Sequence, residues 1–228
     1  MKISVLIPVY NEEKTIKLLI RKVQEVKLID DIEKEIIIID DYSSDNTRKI
    51  LDTIDGCKII LQESNRGKGY AIRTGLKHVT GEYVIIQDAD LEYDPNDYNV
   101  LLSQVVNKNA LAVYGSRRLK KSNKKFSGIS FYLGGLLVTW FANLLYGTQL
   151  TDEPTCYKLV KTDLLKSFNL ECEGFEFCPE VTAKLANNNV AIIEVPIHYY
   201  PRDTDEGKKI TWKDGYIAFT TLWKYRKA

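Results

Sequence analysis

Ile85-Ile86-Gln87-Asp88-Ala89-Asp90-Leu91-Glu92-Tyr93-Asp94-Pro95 carries an apolar run straight into a cluster of carboxylates. The segment from Tyr83 to Ile86 is short and partly β-branched, the pattern of a strand buried in a parallel sheet, and such strands present functional groups at their carboxyl ends. Asp88 and Asp90 stand there, two residues apart. In extended chain that spacing turns both side chains to one side, where converging anionic oxygens are costly without a cation between them. Hard oxygen ligands suit Mg²⁺ or Mn²⁺. An ordinary acidic turn before a proline-started helix would also carry Asp-x-Asp, so the rest of the chain must decide.

A chain of 228 residues is long enough for one large α/β domain with a filled core. Its 32 Lys and Arg against 31 Asp and Glu leave a net charge of only +1, which gives no reason to expect nucleic acid, so function must be local. Cys57, Cys156, Cys172 and Cys178 form no Cys-x-x-Cys pair and read as reduced thiols. His78 and His198 lie outside any motif and read as structural. Met1-Lys2 runs directly into an apolar strand with no signal-peptide pattern, which predicts a cytosolic protein.

Outward from the central stretch the chain alternates. Ile3 to Val9 reads as a strand followed by an amphipathic helix carrying Ile16, Leu19, Ile20 and Val23 on one face. Glu35 to Ile39 reads as a second strand, ending in Asp40-Asp41 and a turn rich in capping residues before a helix from Arg48. Lys58 to Leu61 is a third strand, Gly67 to His78 a helix, Pro95 to Asn107 a helix and Leu111 to Tyr114 a fifth strand. The alternation predicts a mostly parallel, Rossmann-like sheet flanked by helices, because parallel strands need crossover helices. Its carboxyl rim would gather Pro8-Tyr10-Glu12, Asp40-Asp41, Gly67-Lys68-Gly69, Asp88-Ala89-Asp90 and Gly115-Ser116-Arg117. Ligands of open α/β sheets bind on that rim, and a metal with Arg and Lys there suggests a diphosphate.

Pro8-Val9-Tyr10-Asn11-Glu12, Asp40-Asp41-Tyr42-Ser43-Ser44-Asp45-Asn46-Thr47, Asn65-x-Gly67-Lys68-Gly69 and Asp88-Ala89-Asp90 stand in the order and spacing of the family 2 glycosyltransferases with the GT-A fold. Gly115-Ser116-Arg117, Thr151-Asp152, Gly174-Phe175-x-Phe177-x-x-Glu180 and Glu194-Val195-Pro196-Ile197 with Arg202 resemble the dolichyl- or polyprenyl-phosphate sugar transferase branch. The resemblance spans nearly the whole chain and implies a single GT-A domain over 1–228. Residues 1–118 would form its sugar-nucleotide half and 119–228 its acceptor half.

By that resemblance Pro8, Tyr10, Glu12 and Asp40 or Asp41 hold the base and ribose of a GDP- or UDP-linked sugar, while Asp45 serves to cap a helix. Lys68, Asp88, Ala89, Arg117 and Arg202 complete the residues that the resemblance implies for binding the sugar nucleotide. Asp90, Asp88 and Glu92 are the metal ligands, with Glu92 standing where relatives carry an amide. Arg117 suits a phosphate oxygen, which Arg grips in bidentate fashion. Asp152 and Glu180 are the acceptor-side candidates for a base; an acceptor that is already a phosphate anion would need none. Glu180 equally suits the first turn of a helix after Pro179. Arg202, Lys208 and Lys209 lie in a charged loop that could fold over the diphosphate.

Phe126 to Tyr146 approaches the length of a bilayer crossing, but its Ser, Thr, Asn and Gly residues weaken insertion. It reads either as an interfacial helix preceded by Lys120, Lys121, Lys124 and Lys125, or as a helix packed on the sheet or in a dimer seam. Ile210 to Trp223 is amphipathic and aromatic, with no transmembrane pair after it. The expected activity is metal-dependent, inverting transfer of a sugar from a nucleoside diphosphate to a polyprenyl phosphate. It would occur peripherally at the cytoplasmic face of a membrane or beside a membrane-protein partner, without nucleic acid. Transfer to a sugar or lipid hydroxyl is the alternative.

Overall fold

Seven strands build the central sheet: β1 (Lys2–Val9), β2 (Glu33–Asp40), β3 (Lys58–Leu61), β4 (Tyr83–Ile86), β5 (Ala112–Ser116), β6 (Lys158–Lys161) and β7 (Ile192–Pro196). The computed structural model describes residues 1–123, 128–202 and 211–226. The sheet order is β3-β2-β1-β4-β6-β5-β7. Every neighbour pair is parallel except the two made by β6, which inserts antiparallel between β4 and β5. The parallel strands are apolar runs buried on both faces: Val5, Leu6 and Ile7 of β1, Ile38 and Ile39 of β2, and Val84 and Ile85 of β4 have no exposed surface.

Helices cover both faces, as crossovers between parallel strands require. They are α1 (Ile16–Glu25), α2 (Thr47–Leu51), α3 (Lys68–Leu76), α4 (Tyr98–Lys108), α5 (Ile129–Tyr146), α6 (Thr162–Ser167), α7 (Phe177–Asn187) and α8 (Trp212–Lys224). Helix α1 buries Ile16, Leu19, Ile20 and Val23, the stripe its sequence spacing predicts. Pro95 opens a short 3₁₀ turn, Pro95–Asp97, where Asp94 caps the Asn96 amide, and α4 follows. The long apolar segment forms α5, which packs with α8 around a small separate core of Val138, Ala142 and Leu222. Among the described residues no helix is long and apolar enough to cross a membrane. Lys124, Lys125, Phe126, Lys208, Lys209 and Ile210 lie outside the described residues.

The expected strand ladder lacked β6. Its sequence Lys-Leu-Val-Lys is too short and too charged at its ends to read as a buried strand, yet Lys158 is 1% exposed. The Lys158 ammonium donates to the Glu153 carbonyl at 2.6 Å and lies 3.7 Å from the centre of the Tyr114 ring.

Candidate active site

The carboxyl ends of β1 and β4 bring four carboxylates together. Asp88 and Asp90 follow β4 directly, and Leu91, at φ 65°, turns the chain so that Glu92 comes back beside them. Asp90 accepts from the Glu92 amide at 3.1 Å and from Arg202 Nη2 at 3.0 Å. The same guanidinium reaches Glu12, after β1, with Nη1 at 3.2 Å and Nη2 at 3.4 Å. Glu92 accepts from the Tyr199 hydroxyl at 3.0 Å and from the Arg202 amide at 2.9 Å. The strap that leaves β7 is thus tied to the tip of β4. Burial, with Asp88 and Glu92 close by, pushes the Asp90 carboxyl up to about 7 against the opposing pull of Arg202.

Asp88 pairs with Lys68 at the start of α3. Burial alone would lower the Lys68 pKa, but the Asp88 charge overrides it and raises it well above the usual lysine range. Among the described residues no group of three or more His, Cys, Asp or Glu side chains is arranged so that it could hold a metal ion by itself. The donors at this rim are oxygen-only, and burial together with the Asp88 and Glu92 charges raises Asp90, a setting whose chemistry suits a hard divalent ion.

The loops after β1 and β2 are knitted to each other. Asn11, held at φ 49°, accepts from the Ser44 amide at 2.8 Å, and the Glu12 amide donates to Thr47 Oγ1 at 2.9 Å. Asp45 accepts from the Thr47 amide at 2.9 Å and the Glu13 amide at 3.2 Å, a structural task. Asp41 spends both oxygens on the amides of Arg66 and Gly67, at 2.9 and 2.7 Å. Asp40 gives one oxygen to Arg48 Nε at 2.6 Å and the Ser43 amide at 3.1 Å, while its Oδ1 has no partner among the described residues. Of the pair, Asp40 therefore keeps an open acceptor and Asp41 shapes the Gly67 turn. Pro8 and Tyr10 are half-buried where β1 ends, and Ala89 is buried between the β4 aspartates.

The Gly67-Lys68-Gly69 turn is glycine-rich because another segment lies on it. A Cβ on Gly67, whose φ is +92°, would stand 2.4 Å from the Glu173 carbonyl oxygen, and one on Gly69 would stand 2.8 Å from that of Gly174. Glu180, on α7, holds this covering loop in place. Its oxygens accept from the amides of Glu171 and Cys172, both at 2.8 Å, and from Lys184 at 2.6 Å. Burial would raise the Glu180 pKa, but Lys184 and those amides hold it below the usual range. Glu180 thus lies in the first turn of a helix, the second of its two sequence readings, 1% exposed and with both oxygens engaged.

Asp152 is likewise spent elsewhere. It is wholly buried and accepts a two-pronged grip from Arg117, Nε and Nη2 each at 2.7 Å, plus the Arg117 amide at 2.9 Å. Burial would push its carboxyl up, yet the Arg117 charge and hydrogen bonds hold it below the usual carboxylate range. Of the two candidates for a base, Asp152 is thus also engaged, and a carboxylate so engaged is a poor proton acceptor. Arg117 in turn lies against the Tyr199 ring, 5.1 Å from its centre, so Asp152 aims Arg117 toward the Glu92 side of the rim.

Sequence reasoning missed the role of Tyr199 and the anchoring of its strap. The His198 ring and amide bind Asp97 at 2.9 and 2.6 Å, and Asn123 holds the Ile197 carbonyl at 2.7 Å. The run His198-Tyr199-Tyr200-Pro201-Arg202, polar and aromatic directly after a strand, is the one local signal that could have marked it.

The model of glycosyl transferase family 2 matches residues 4–165. The chain is 27% identical to the low-salt glycan biosynthesis hexosyltransferase Agl6 of Haloferax volcanii, over 94% of this chain and 51% of that one. It is 30% identical to the UDP-N-acetylglucosamine–dolichyl-phosphate N-acetylglucosaminyltransferase of Methanococcus voltae, over 86% of this chain and 84% of that one. It thus spans about half the length of the first relative and most of the second. Among solved structures, glucosyl-3-phosphoglycerate synthase from Mycobacterium tuberculosis, in complex with Mn²⁺, UDP and phosphoglyceric acid, shares the fold with a TM-score of 0.74 at 19% identity. That match covers 98% of this chain and 78% of that one.

Proposed function

This chain belongs to glycosyl transferase family 2, and from that premise we propose that it moves a sugar, with inversion, from a nucleoside diphosphate to a polyprenyl phosphate. The carrying observation is that both acceptor-side carboxylates are already engaged, Asp152 by Arg117 and Glu180 by backbone amides and Lys184. A hydroxyl acceptor needs a base to take its proton, whereas a phosphate monoester brings an anionic oxygen of its own. The named activity of the Methanococcus relative, on UDP-N-acetylglucosamine and dolichyl phosphate, supports the same donor and acceptor classes.

In this reading Asp40, Tyr10 and Pro8 face the base and ribose of a UDP- or GDP-linked sugar, with Glu12 beside them. Asp88, Asp90 and Glu92 would hold Mg²⁺ or Mn²⁺, the ions named with several of the solved relatives. The ion would supply positive charge to the leaving diphosphate. Lys68 and Arg202, now paired with Asp88 and Asp90, would turn to phosphate oxygens as the ligand enters. A phosphate oxygen of the acceptor attacks the anomeric carbon, the bond from that carbon to the diphosphate breaks, and the nucleoside diphosphate departs with the electron pair. Arg117, aimed by Asp152, stabilises charge on the phosphates as it shifts. The work takes place at the cytoplasmic face of a membrane, where such an acceptor presents its phosphate.

A panel of sugar nucleotides with Mn²⁺, read by thermal stabilisation, finds the donor, since a ligand bound to the native state raises the melting temperature. The selected donor is then offered a short-chain polyprenyl phosphate and a panel of sugar and lipid hydroxyls. Transfer to the phosphate is expected. Transfer to a hydroxyl alone would overturn the reading and install the hydroxyl-acceptor alternative.

A further inference from the structure

The faces of α5 are reversed relative to an ordinary surface helix. Its polar and small residues turn inward, four apart: a Cβ on Gly135 would stand 2.9 Å from Arg118 Nη2, Thr139 Oγ1 accepts from the Glu153 amide at 3.1 Å, and Asn143 grips Leu150 through its carbonyl at 2.8 Å and its amide at 2.9 Å. The opposite face carries Leu133, Leu136, Leu137, Trp140 and Leu144, a stripe at helical spacing whose members are 37–63% exposed. Helix α8 lies alongside through Leu222 and the Phe141–Phe219 ring pair, 5.1 Å between centres. It adds Trp212, Tyr216 and Trp223 at 79, 67 and 52% exposure. Apolar side chains of this size on two adjoining helices mark an interaction surface.

The charge around the surface selects its occupant. Lys213, Lys224 and Arg226 are exposed on or just after α8, and Arg226 stacks 3.6 Å from the Trp223 ring centre. Glu171 pairs with Lys224 at 2.5 Å and offsets its charge, and Asp214, anionic, accepts from the Thr211 amide and hydroxyl at 2.6 and 2.9 Å; Lys213, Arg226 and Lys121 still leave the surroundings with an excess of positive charge. Before α5, Lys121 is exposed, while the Lys120 ammonium is held against the His198 ring. A second copy related by a two-fold axis would set these cations against themselves, whereas anionic headgroups complement them. Trp and Tyr rings, apolar with one polar edge, suit headgroup depth.

We infer that α5 and α8 together are the face by which this protein docks on an anionic lipid bilayer, lying in the headgroup layer with Trp140, Trp212, Tyr216 and Trp223 inserted. Arg118, under the first turns of α5, neighbours the Arg117–Asp152 pair, its Nε 3.9 Å from Asp152. A protein docked this way holds that end of its rim near the headgroup phosphates. The inference deepens the lipid-phosphate reading and rests on it for the purpose of docking, while the face itself is read from exposure and charge.

The test uses the full chain with vesicles of phosphatidylcholine alone or mixed with phosphatidylglycerol, read by co-sedimentation and by quenching of tryptophan emission with brominated lipid. Binding to the anionic vesicles, weakening with salt, and quenched tryptophan are expected. Trp140→Ser with Trp212→Ser should weaken vesicle binding roughly tenfold or more, and Lys213→Glu with Arg226→Glu several-fold, both leaving sugar-nucleotide hydrolysis in lipid-free buffer unchanged. Wild-type protein that ignores anionic vesicles overturns the inference, as does unchanged binding by the tryptophan variant. Self-association that shields these tryptophans without lipid also overturns it, in favour of a second copy. If docking holds but no lipid phosphate is glycosylated, the acceptor reading fails alone. If a short-chain lipid phosphate is glycosylated without vesicle binding, docking fails alone.

Discussion

Replacing Asp152 by Asn keeps the shape of the side chain and removes the charge on which Arg117 depends. Asp152 is fully buried and takes three hydrogen bonds from Arg117, at 2.7, 2.7 and 2.9 Å. Removing one partner of a buried pair costs about 3–5 kcal/mol, because the remaining charge stays desolvated and uncompensated. In a chain of this size each kcal/mol moves the melting temperature by about 2–4 °C, so the Asn variant should melt about 6–20 °C below wild type at neutral pH. The pH dependence has a definite sign. The Asp152 carboxyl is held below its ordinary range in the folded protein, so the stability it contributes is full above the unfolded value of about 4 and is lost as pH falls through the lower folded value. Calorimetry from neutral to acid pH should therefore show the gap between wild type and variant closing at the acid end. A catalytic base would behave differently, with an unmoved melting temperature and kcat lowered by about a thousandfold. That outcome would refute the assignment of Asp152 as the anchor of Arg117.

Asp90→Ala should abolish turnover and remove metal-dependent binding of the sugar nucleotide, measured by calorimetric titration with Mn²⁺. Gly69→Ala, whose methyl would stand 2.8 Å from the Gly174 oxygen and 3.0 Å from that of Cys172, should cost about 1–3 kcal/mol and weaken nucleotide binding. Thermal shift with and without nucleotide reads both effects. Glu180→Gln should lower the melting temperature, since it weakens charge-assisted bonds to Glu171, Cys172 and Lys184, each type worth about 1.5–3 kcal/mol, without a selective drop in kcat. Arg117→Ala should lower the rate more than it weakens nucleotide binding, as steady-state kinetics beside equilibrium titration would reveal.

The parallel core and the β4 rim were legible because their signals are local. An apolar run followed at once by Asp88 and Asp90 needs no knowledge of what packs beside it. Strand β6 was hidden because its four residues make sense only between β4 and β5, with Lys158 buried against Tyr114. Asp152 looked like a free acid because Arg117, the residue that claims it, is 35 positions away. The clasp of His198 on Asp97 spans 101 positions, so neither residue announced the other. Glu180 was open to two readings from sequence, because the Glu171 and Cys172 amides that fold back onto it leave no mark in the local pattern. In α5 nearly every residue is apolar, so periodicity could not say which face turned inward; Gly135, Thr139 and Asn143 settle it by what they touch.

Metal-dependent transfer from a sugar nucleotide to a lipid phosphate, without a protein base, stands or falls on the identity of the product. The protein is incubated with a labelled sugar nucleotide, Mn²⁺ and a mixture of polyprenyl phosphate and the matching polyprenol, and the organic extract is analysed by mass spectrometry and anomeric NMR. The expected product is a sugar joined through phosphate to the polyprenyl chain, with anomeric configuration opposite to that of the donor, and none forms when the metal is chelated. A sugar joined directly to the polyprenol hydroxyl, a retained configuration, or an undiminished yield in chelator would contradict it.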